Sequence, residues 1–437
     1  MLRKNVFLGV LIVLLLSATL VFAGGKKEAP VAADGEEIIT LTALGYVDLT
    51  NEVNVANWEE LQATWAANHP NIVIEWEYLF NEPYHNKLQS MAVAGQLPDL
   101  MFLWPGKRTG DVTGSGLVKD ISSYVNPVAD QFAPAAVAAQ GPNGAFYELP
   151  EQVTATHVMF TNNRLLDELG LEFPKTFEEL IAQGQVIRDA GLIPIAMDNK
   201  DGWQMQSCLL SALVARTGGR EWLDAARVGD ASFTDAEFVD ALRAIQILFE
   251  EDMFSPGINQ ADYGEALNAF SMEQAVYLID GGWRTNELVK LMADGASDYV
   301  SYEVIPALPK EGGIPGSTAL VAGTGYGMNA NLTGAKADAA WEWIYFFAGP
   351  EGSAVKATQG WLPAVKIDLP DDISPFLVSL ADFVNNVPAG YVIDAVMDGE
   401  GMGTLHPAMQ EMMFGNVTPE QVAAQYEAWV AANDSSR

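Results

Sequence analysis

Four tryptophans stand where an indole can meet a ligand. Trp104, Trp203, Trp283 and Trp361 each close an apolar run or sit beside Gly, Asp or Pro: Leu103-Trp104-Pro105, Asp201-Gly202-Trp203, Gly281-Gly282-Trp283 and Gly360-Trp361-Leu362-Pro363. An indole on a loop offers a flat apolar face and one N–H donor. A pyranose ring offers a matching face of C–H groups and a rim of hydroxyls. Flat aromatics with a few amides and carboxylates therefore suit a neutral sugar. The same placement also suits a hydrophobic plug at a turn. The chain has 11 Trp in all. Trp58, Trp65, Trp222, Trp341, Trp343 and Trp429 fall in helical patterns and Trp76 in a strand, and these read as packing.

Catalytic chemistry finds less support. His69, His85, His157 and His406 show no metal-ligand spacing and there is no Cys cluster, so neither a metal nor a cofactor is expected. Neither a G-x-S-x-G elbow nor a Walker A loop occurs. Gly323-Thr324-Gly325-Tyr326-Gly327 does not match G-x-G-x-x-G and reads as close backbone packing before a strand or a helix. With 57 acidic residues a glycosidase-like pair can be assembled on paper anywhere. Such a pair works only at a defined separation across a sugar. Most of these carboxylates read as a solvated surface. Cys208, alone in Ser207-Cys208-Leu209-Leu210, reads as a buried small hydrophobe.

Composition narrows the classes further. The 437 residues carry 57 acidic and 23 basic side chains, a net charge of −34. That excess argues against nucleic-acid binding, which needs clustered Lys and Arg. A single Cys excludes an internal disulfide. A hydrophobic fraction of 49% rules out a mainly disordered chain, and the length suits about two or three domains. Residues 1–23 read as a secretory signal peptide: Arg3 and Lys4, the apolar stretch Phe7 to Leu16, then Val21-Phe22-Ala23 before Gly24. No Cys lies near that site, so a lipid anchor there is not expected, and residues 24–37 read as a flexible leader. Location is then periplasmic or extracytoplasmic.

The elements that must position these residues alternate. Ile38 to Leu44 is β-branched and apolar, and a loop to Asn51 follows. Trp58, Leu61 and Trp65 share one helical face, stopped by Asn68-His69-Pro70. Ile72, Ile74, Trp76 and Tyr78 alternate as a strand, Tyr84, Leu88 and Met91 return to helical spacing, and Leu100 to Trp104 is a short buried strand. This β-α-β-α-β order predicts a mostly parallel sheet with helices on both faces. Ligands bind beyond the carboxyl ends of such strands, which points to the loop after Leu44, to Tyr78–Tyr84 and to Trp104. A second α/β region begins near Asn162. Thr176-Phe177-Glu178-Glu179 and Thr234-Asp235-Ala236-Glu237 are capping boxes, Thr418-Pro419-Glu420-Gln421 opens the last helix with Pro at N1, and Pro194 makes Leu192 to Met197 an edge or irregular strand.

In order along the chain, the motifs resemble family 1 extracellular solute-binding proteins of ABC importers, the group containing maltose- and other sugar-binding proteins. The resemblance is carried by Trp58 to Pro70, by Lys87-Leu88 with Ala94-Gly95-Gln96-Leu97-Pro98-Asp99-Leu100, and by Gly144-Ala145-Phe146-Tyr147-Glu148-Leu149-Pro150. It continues through Phe160-Thr161-Asn162-Asn163 and Pro174-Lys175-Thr176-Phe177-Glu178-Glu179-Leu180, then Phe270 to Trp283, Gly360 to Pro363 and Phe414 to Glu420. Met272-Glu273 replaces the usual Gly.

The resemblance implies an α/β, two-lobed periplasmic-binding-protein fold of type II-like topology, with a hinge crossed more than once. Crossings are expected near Val153–Asn162, Val304–Leu308 and Gly349–Gly360. Residues 38–155 and 308–350 would form lobe 1, and 156–307 with 351–437 lobe 2. Ligand would bind between the lobes and close them. Carried onto this sequence, Trp283 is the first candidate to stack on a sugar, with Gly282 beside it, followed by Trp203, Trp104 and Trp361. Asp280, Glu82, Asn51 and Glu151 are candidate hydroxyl partners, and Tyr84 and Tyr326 candidates to close the pocket. Asp280 could equally cap a turn and Glu82 could be a solvated charge. Arg284, Lys107 and Arg108 read as surface or structural, while keeping an anionic ligand open. The implied function is a monomeric, non-catalytic binder that delivers a mono- or oligosaccharide to permease transmembrane subunits. A polyol, glycerol phosphodiester, polyamine or peptide is the alternative ligand, and a secreted glycosidase the alternative class.

Overall fold

Two four-stranded sheets, joined by a two-stranded ribbon, organise the chain in a computed structural model. The structure describes residues 37–138, 144–292, 295, 298–306, 312–322, 324–397 and 399–433. The expected signal peptide and all but the last residue of the leader lie outside these, as do Ala307 and Leu308 of one expected crossing.

The first sheet has the order β10-β3-β1-β2. Its strands are β1 (Ile39–Tyr46), β2 (Ile72–Leu79), β3 (Leu100–Leu103) and β10 (Gly325–Met328). β1 runs parallel to β2 from Ile39↔Ile72 and to β3 at Ala43↔Leu100, while β10 lies antiparallel on β3. The sheet is thus mostly parallel, as the alternation predicts, and the glycine-rich segment supplies the antiparallel edge strand. α1 (Glu52–Asn68) and α2 (Asn81–Val93) are its two crossovers. β1 to β2 and β2 to β3 move in opposite directions across the sheet, so right-handed crossovers put α1 and α2 on opposite faces.

Burial of aromatics holds this body. Trp343, on the helix Ala335–Ala348, is fully buried and meets the rings of Trp58, Trp65 and Trp76 with centroids 6.0, 5.1 and 5.1 Å away. Trp341, expected beside it in the core, is half-buried and stacks on Tyr124 instead.

The second sheet has the order β6-β7-β5-β8. β5 (Val158–Asn162) is central, antiparallel to β7 (Ala275–Asp280) and to β8 (Val300–Glu303). β6 (Ile193–Ala196) pairs with β7 alone among the strands of the sheet, with one isolated bridge from Ile195 to Phe254, so Pro194 sits on an edge strand as expected. Helix ends follow local chemistry. The Thr176 hydroxyl accepts from Glu179 N–H at 3.1 Å. At Thr418 the box is reciprocal, with Thr418 N–H donating to Gln421 at 2.8 Å and Gln421 N–H to the Thr418 hydroxyl at 3.3 Å. The box expected at Thr234 does not form. The helix starts at Ala236 with Asp235 as N-cap, and that carboxylate is drawn back to Ser232 N–H and to the Trp222 indole.

Between the sheets lies the ribbon of β4 (Val153–Ala155) and β9 (Leu320–Ala322), antiparallel with Thr154↔Val321. Each strand connects one sheet to the other, as hinge strands must. The later passage differs from the expected one. The helix Pro350–Thr358 packs on α1 and on Ala335–Ala348, and Ala364 N–H and O bond Glu151 and Ala133, all with the first sheet. The chain reaches the second sheet only with the helix Pro375–Asn386, which packs on β8. The apolar periodicity of 350–358 is compatible with either body, and the Gly349 turn after Ala335–Ala348 keeps it on the first.

His157 links β4 to β5 and is fully buried. Its Nδ1 accepts from Ala319 N–H at 3.2 Å, and its backbone exchanges two bonds with the Thr318 hydroxyl. Burial, with Arg216 nearby, pushes the imidazole down to about 3. Between the ordinary 6.5 and this value the unfolded chain binds a proton that the folded one refuses, so stability falls as pH falls through that window, by about 1.4 kcal/mol per unit at most. His406, also pushed to about 3 by burial, adds a parallel dependence. In urea unfolding, His157→Gln is expected to lose less stability than the wild type between about pH 7 and about pH 4.5, with the dependence due to His406 and His85 remaining. Equal slopes would count against a neutral buried His157.

Candidate ligand-binding site

The carboxyl ends of β1, β2 and β3 face segments of the second body across a cavity of about 300 Å³. From the first body come Tyr46 and Asp48, Phe80 to Glu82, Trp104 and Arg108, with Asn54 and Asn57 from α1, and Lys356, Gln359 and Trp361. From the second come Trp203 and Ser207, Tyr263, Trp283, Arg284, Asn286 and Glu287, and Val392, Asp394 and Ala395. Ser207 belongs to a π-helical turn, Met205–Leu210, and such turns recur at functional sites. Thr154 and Thr156 of the hinge also line the cavity.

Two aromatic walls result. On the first body, Tyr46 lies 4.8 Å edge-on to Trp104 and stacks on Phe102 at 5.8 Å. On the second, Trp203 lies 5.1 Å from Tyr263 and 6.2 Å from Trp283, and the Trp283 indole donates to the Tyr263 hydroxyl at 2.8 Å. Phe80 and Tyr263, 5.8 Å apart, touch across the gap.

Each cation lining the cavity already has an anion. Arg284, 2% exposed, donates from Nε to Asp280 at 2.6 Å and from Nη1 to Glu287 at 2.7 Å, and lies 3.8 Å over the Tyr263 ring. Lys356 donates to Glu151 at 2.7 Å; burial lowers the ammonium and Glu151 counters it. Arg108 donates to Glu82 at 3.1 Å and stands 3.5 Å from Asp394, whose carboxyl burial raises and Arg108 pulls back. Burial and the same guanidinium keep His85 neutral. Four buried polar atoms of lining residues have no partner: Asn57 Nδ2, Thr154 Oγ1, Thr156 Oγ1 and Arg284 Nη2. An unmade buried hydrogen bond costs about 1–3 kcal/mol, which a ligand hydroxyl can recover.

A sequence model of the bacterial extracellular solute-binding proteins matches residues 50–354. The chain belongs to this family. It is 23% identical over 219 residues to a probable sugar-binding periplasmic protein of Mesorhizobium japonicum, covering 49% of this chain and 51% of the relative. It is 25% identical to an arabinooligosaccharide-binding protein of Halalkalibacterium halodurans, covering 38% and 37%. The chain thus spans about half or less of these curated relatives. Among solved structures, a chitin oligosaccharide binding protein superposes with a TM-score of 0.81 at 21% identity, over 89% of this chain and 98% of the other. A maltose-bound protein of T. maritima, MalE3, superposes at 0.74 and 17% identity, over 90% and 99%. The fold is that of the two-lobed binding proteins.

All four loop tryptophans of this solute-binding protein line the cavity, half-buried, with Glu82, Glu151 and Tyr326. The other four candidates do not. Tyr84 is fully buried beneath, its hydroxyl bonded to both the N–H and the carbonyl of Phe102 at 2.7 Å. Asp280 is fully buried behind Arg284. Asn51 caps α1 through Val53 N–H and Asn54 N–H and donates to Glu287 at 2.5 Å. Gly282 packs on the hinge, where a Cβ would stand 2.7 Å from Thr154 Oγ1. Sequence reasoning missed Tyr263, Lys356 and Asp394, and reached Phe80 only as part of the Tyr78–Tyr84 segment. Tyr263 carried the same signal as the loop tryptophans, an aromatic in a polar turn, Ala261-Asp262-Tyr263-Gly264. Arg284 and Arg108, read as surface or structural, prove to line the cavity.

Trp283→Ala removes a wall ring and frees the Tyr263 hydroxyl, and is expected to weaken ligand binding by about 2 kcal/mol or more with the circular dichroism unchanged. Tyr84→Phe is expected to leave affinity unaltered while lowering stability by about 1 kcal/mol. Calorimetric titration that finds Trp283→Ala indistinguishable from wild type would remove that ring from the site.

Proposed function

We propose that the protein is the exported substrate-binding subunit of an ABC transporter, capturing a neutral sugar between its lobes and delivering it intact to membrane permease subunits. The observation that carries this reading is the cavity lining: aromatic walls from both bodies, with Arg108, Arg284 and Lys356 each neutralised by a carboxylate. Stacking faces plus unpartnered hydroxyl and amide groups suit C–H faces and hydroxyls. A phosphate or carboxylate ligand would meet cations whose charge a carboxylate already offsets, with Arg284 Nη2 the one cationic donor left unpartnered among the described lining residues. The sugar names borne by the relatives from Mesorhizobium and Halalkalibacterium support the same ligand class. The sequence of residues 1–23 supports export, and no helix among the described residues is long and apolar enough to cross a membrane.

The reading is non-catalytic. A glycosidase needs one carboxylic acid free to give a proton and a second carboxylate facing it across the sugar. Among the lining carboxylates, Glu82, Glu151 and Glu287 instead accept from Arg108, Lys356 and Arg284, Asp394 stands 3.5 Å from Arg108, and Asp48 accepts from Thr50.

Tryptophan fluorescence is expected to change on adding the cognate sugar, and mass spectrometry of the released ligand to find it intact. Turnover at a catalytic rate would overturn the reading. A uronic acid is expected to bind about tenfold or more weakly than the neutral sugar of the same stereochemistry. Equal affinity would refute selection by charge.

A further inference from the structure

The two bodies meet directly on both sides of the cavity. On the α1 face, Asn51 and Asn54 donate to Glu287, Asn286 donates to Asn54 at 3.4 Å, and Lys290 donates to Asn57. Gly360 there, at φ +97°, comes so near that a Cβ would stand 2.8 Å from Asn286 Cα. On the α2 face, Asn81 donates to Asp201 at 3.3 Å and Lys107 N–H to Ala395 O at 3.1 Å. A Cβ on Gly106, at φ +69°, would stand 2.3 Å from Ala395 O. The loop holding Gly106 leads into the short helix Gly110–Gly114, which packs on α2 and fixes it to that face. The hinge ribbon, continuous with edge strand β10, bounds one end of the cavity, and the Phe80–Tyr263 contact lies beyond β2 at the other.

At Gly106 and Gly360 the contact is backbone against backbone, leaving no width for a sugar ring. A saccharide longer than the cavity must therefore break one of these contacts to leave it. The cavity volume, about 300 Å³, is at the bottom of the range of roughly 300–1,000 Å³ usual for small-molecule sites. We infer that the cleft selects a sugar of one or two rings, and that the glycine contacts Gly106–Ala395 and Gly360–Asn286 set this limit. The inference rests on the sugar reading and adds ligand length to it.

The test uses the mature protein with maltose-, cello-, xylo- and chito-oligosaccharide ladders from one to five rings, by native mass spectrometry and calorimetry. In any ladder that binds, affinity is expected to peak at one or two rings and to fall about tenfold or more by four. Gly106→Ala forces Ala395 away, so it should weaken the peak about tenfold and bring four rings within about threefold of two. Lys290→Ala, on the opposite seam, is expected to lower affinity for the short sugar at unchanged melting temperature. A wild type that binds four or five rings as tightly as two overturns the inference. So does unchanged affinity in both seam variants, or a folded Gly106→Ala that keeps the wild-type length preference. Failure of every ladder member to bind counts against the sugar reading itself.

Discussion

A buried guanidinium ties the cleft together. Arg284 joins Asp280 at the end of β7, Glu287 on the following helix, and the Tyr263 face. Removing such a charge from water is costly, and the two carboxylates offset that cost only because both hold short contacts in a fixed geometry. The geometry then propagates. Glu287 receives Asn51 and Asn54 from the other body, so the same anion that holds Arg284 also receives the α1 seam. Tyr263, pinned under Arg284, receives the Trp283 indole and meets Trp203 and Phe80. Loss of one partner leaves an uncompensated buried charge beside the ligand cavity, which is why the arrangement favours one conformation over loose alternatives.

The tryptophans divide by what they touch. Trp58, Trp65, Trp76 and Trp343 form an edge-to-face cluster in the first body, an arrangement that the ring quadrupole favours. That cluster makes a rigid floor, and Phe347, in contact with Trp343, also lines the cavity. The loop tryptophans are half-buried and keep ring area beside empty space. Packing and recognition therefore draw on the same residue type, separated only by whether neighbours fill every face.

Much of the fold was legible because hydrophobic period and end signals are local. The β-α-β-α-β alternation, the edge placement of Pro194 and the helix start at Thr418-Pro419 need only a few neighbours in sequence. The Thr234 box failed because Asp235 found Ser232 and Trp222, the latter brought close by folding. The placement of Pro350–Thr358 failed because a short helix carries too little pattern to say which body it covers.

Within the site, residue type and position at an element's end located the four loop tryptophans, and the family resemblance pointed to Glu82 and Glu151. The tryptophan signal is local, since an indole beside Gly, Asp or Pro at the end of an apolar run is visible from its immediate neighbours. Orientation is not intrinsic. Tyr84 and Asp280 stand beside cleft residues in sequence, yet turn inward to satisfy Phe102 and Arg284. The pairing of Arg108, Arg284 and Lys356 with anions, hence the neutral character of the cavity, joins residues up to 286 positions apart, Arg108 to Asp394. By itself the sequence determined the elements, the family and the aromatic character of the site. Tertiary structure alone decided which polar groups remain for a ligand, because hydrogen bonds and ion pairs are allotted by proximity in space, and that exists only once both bodies have folded against each other.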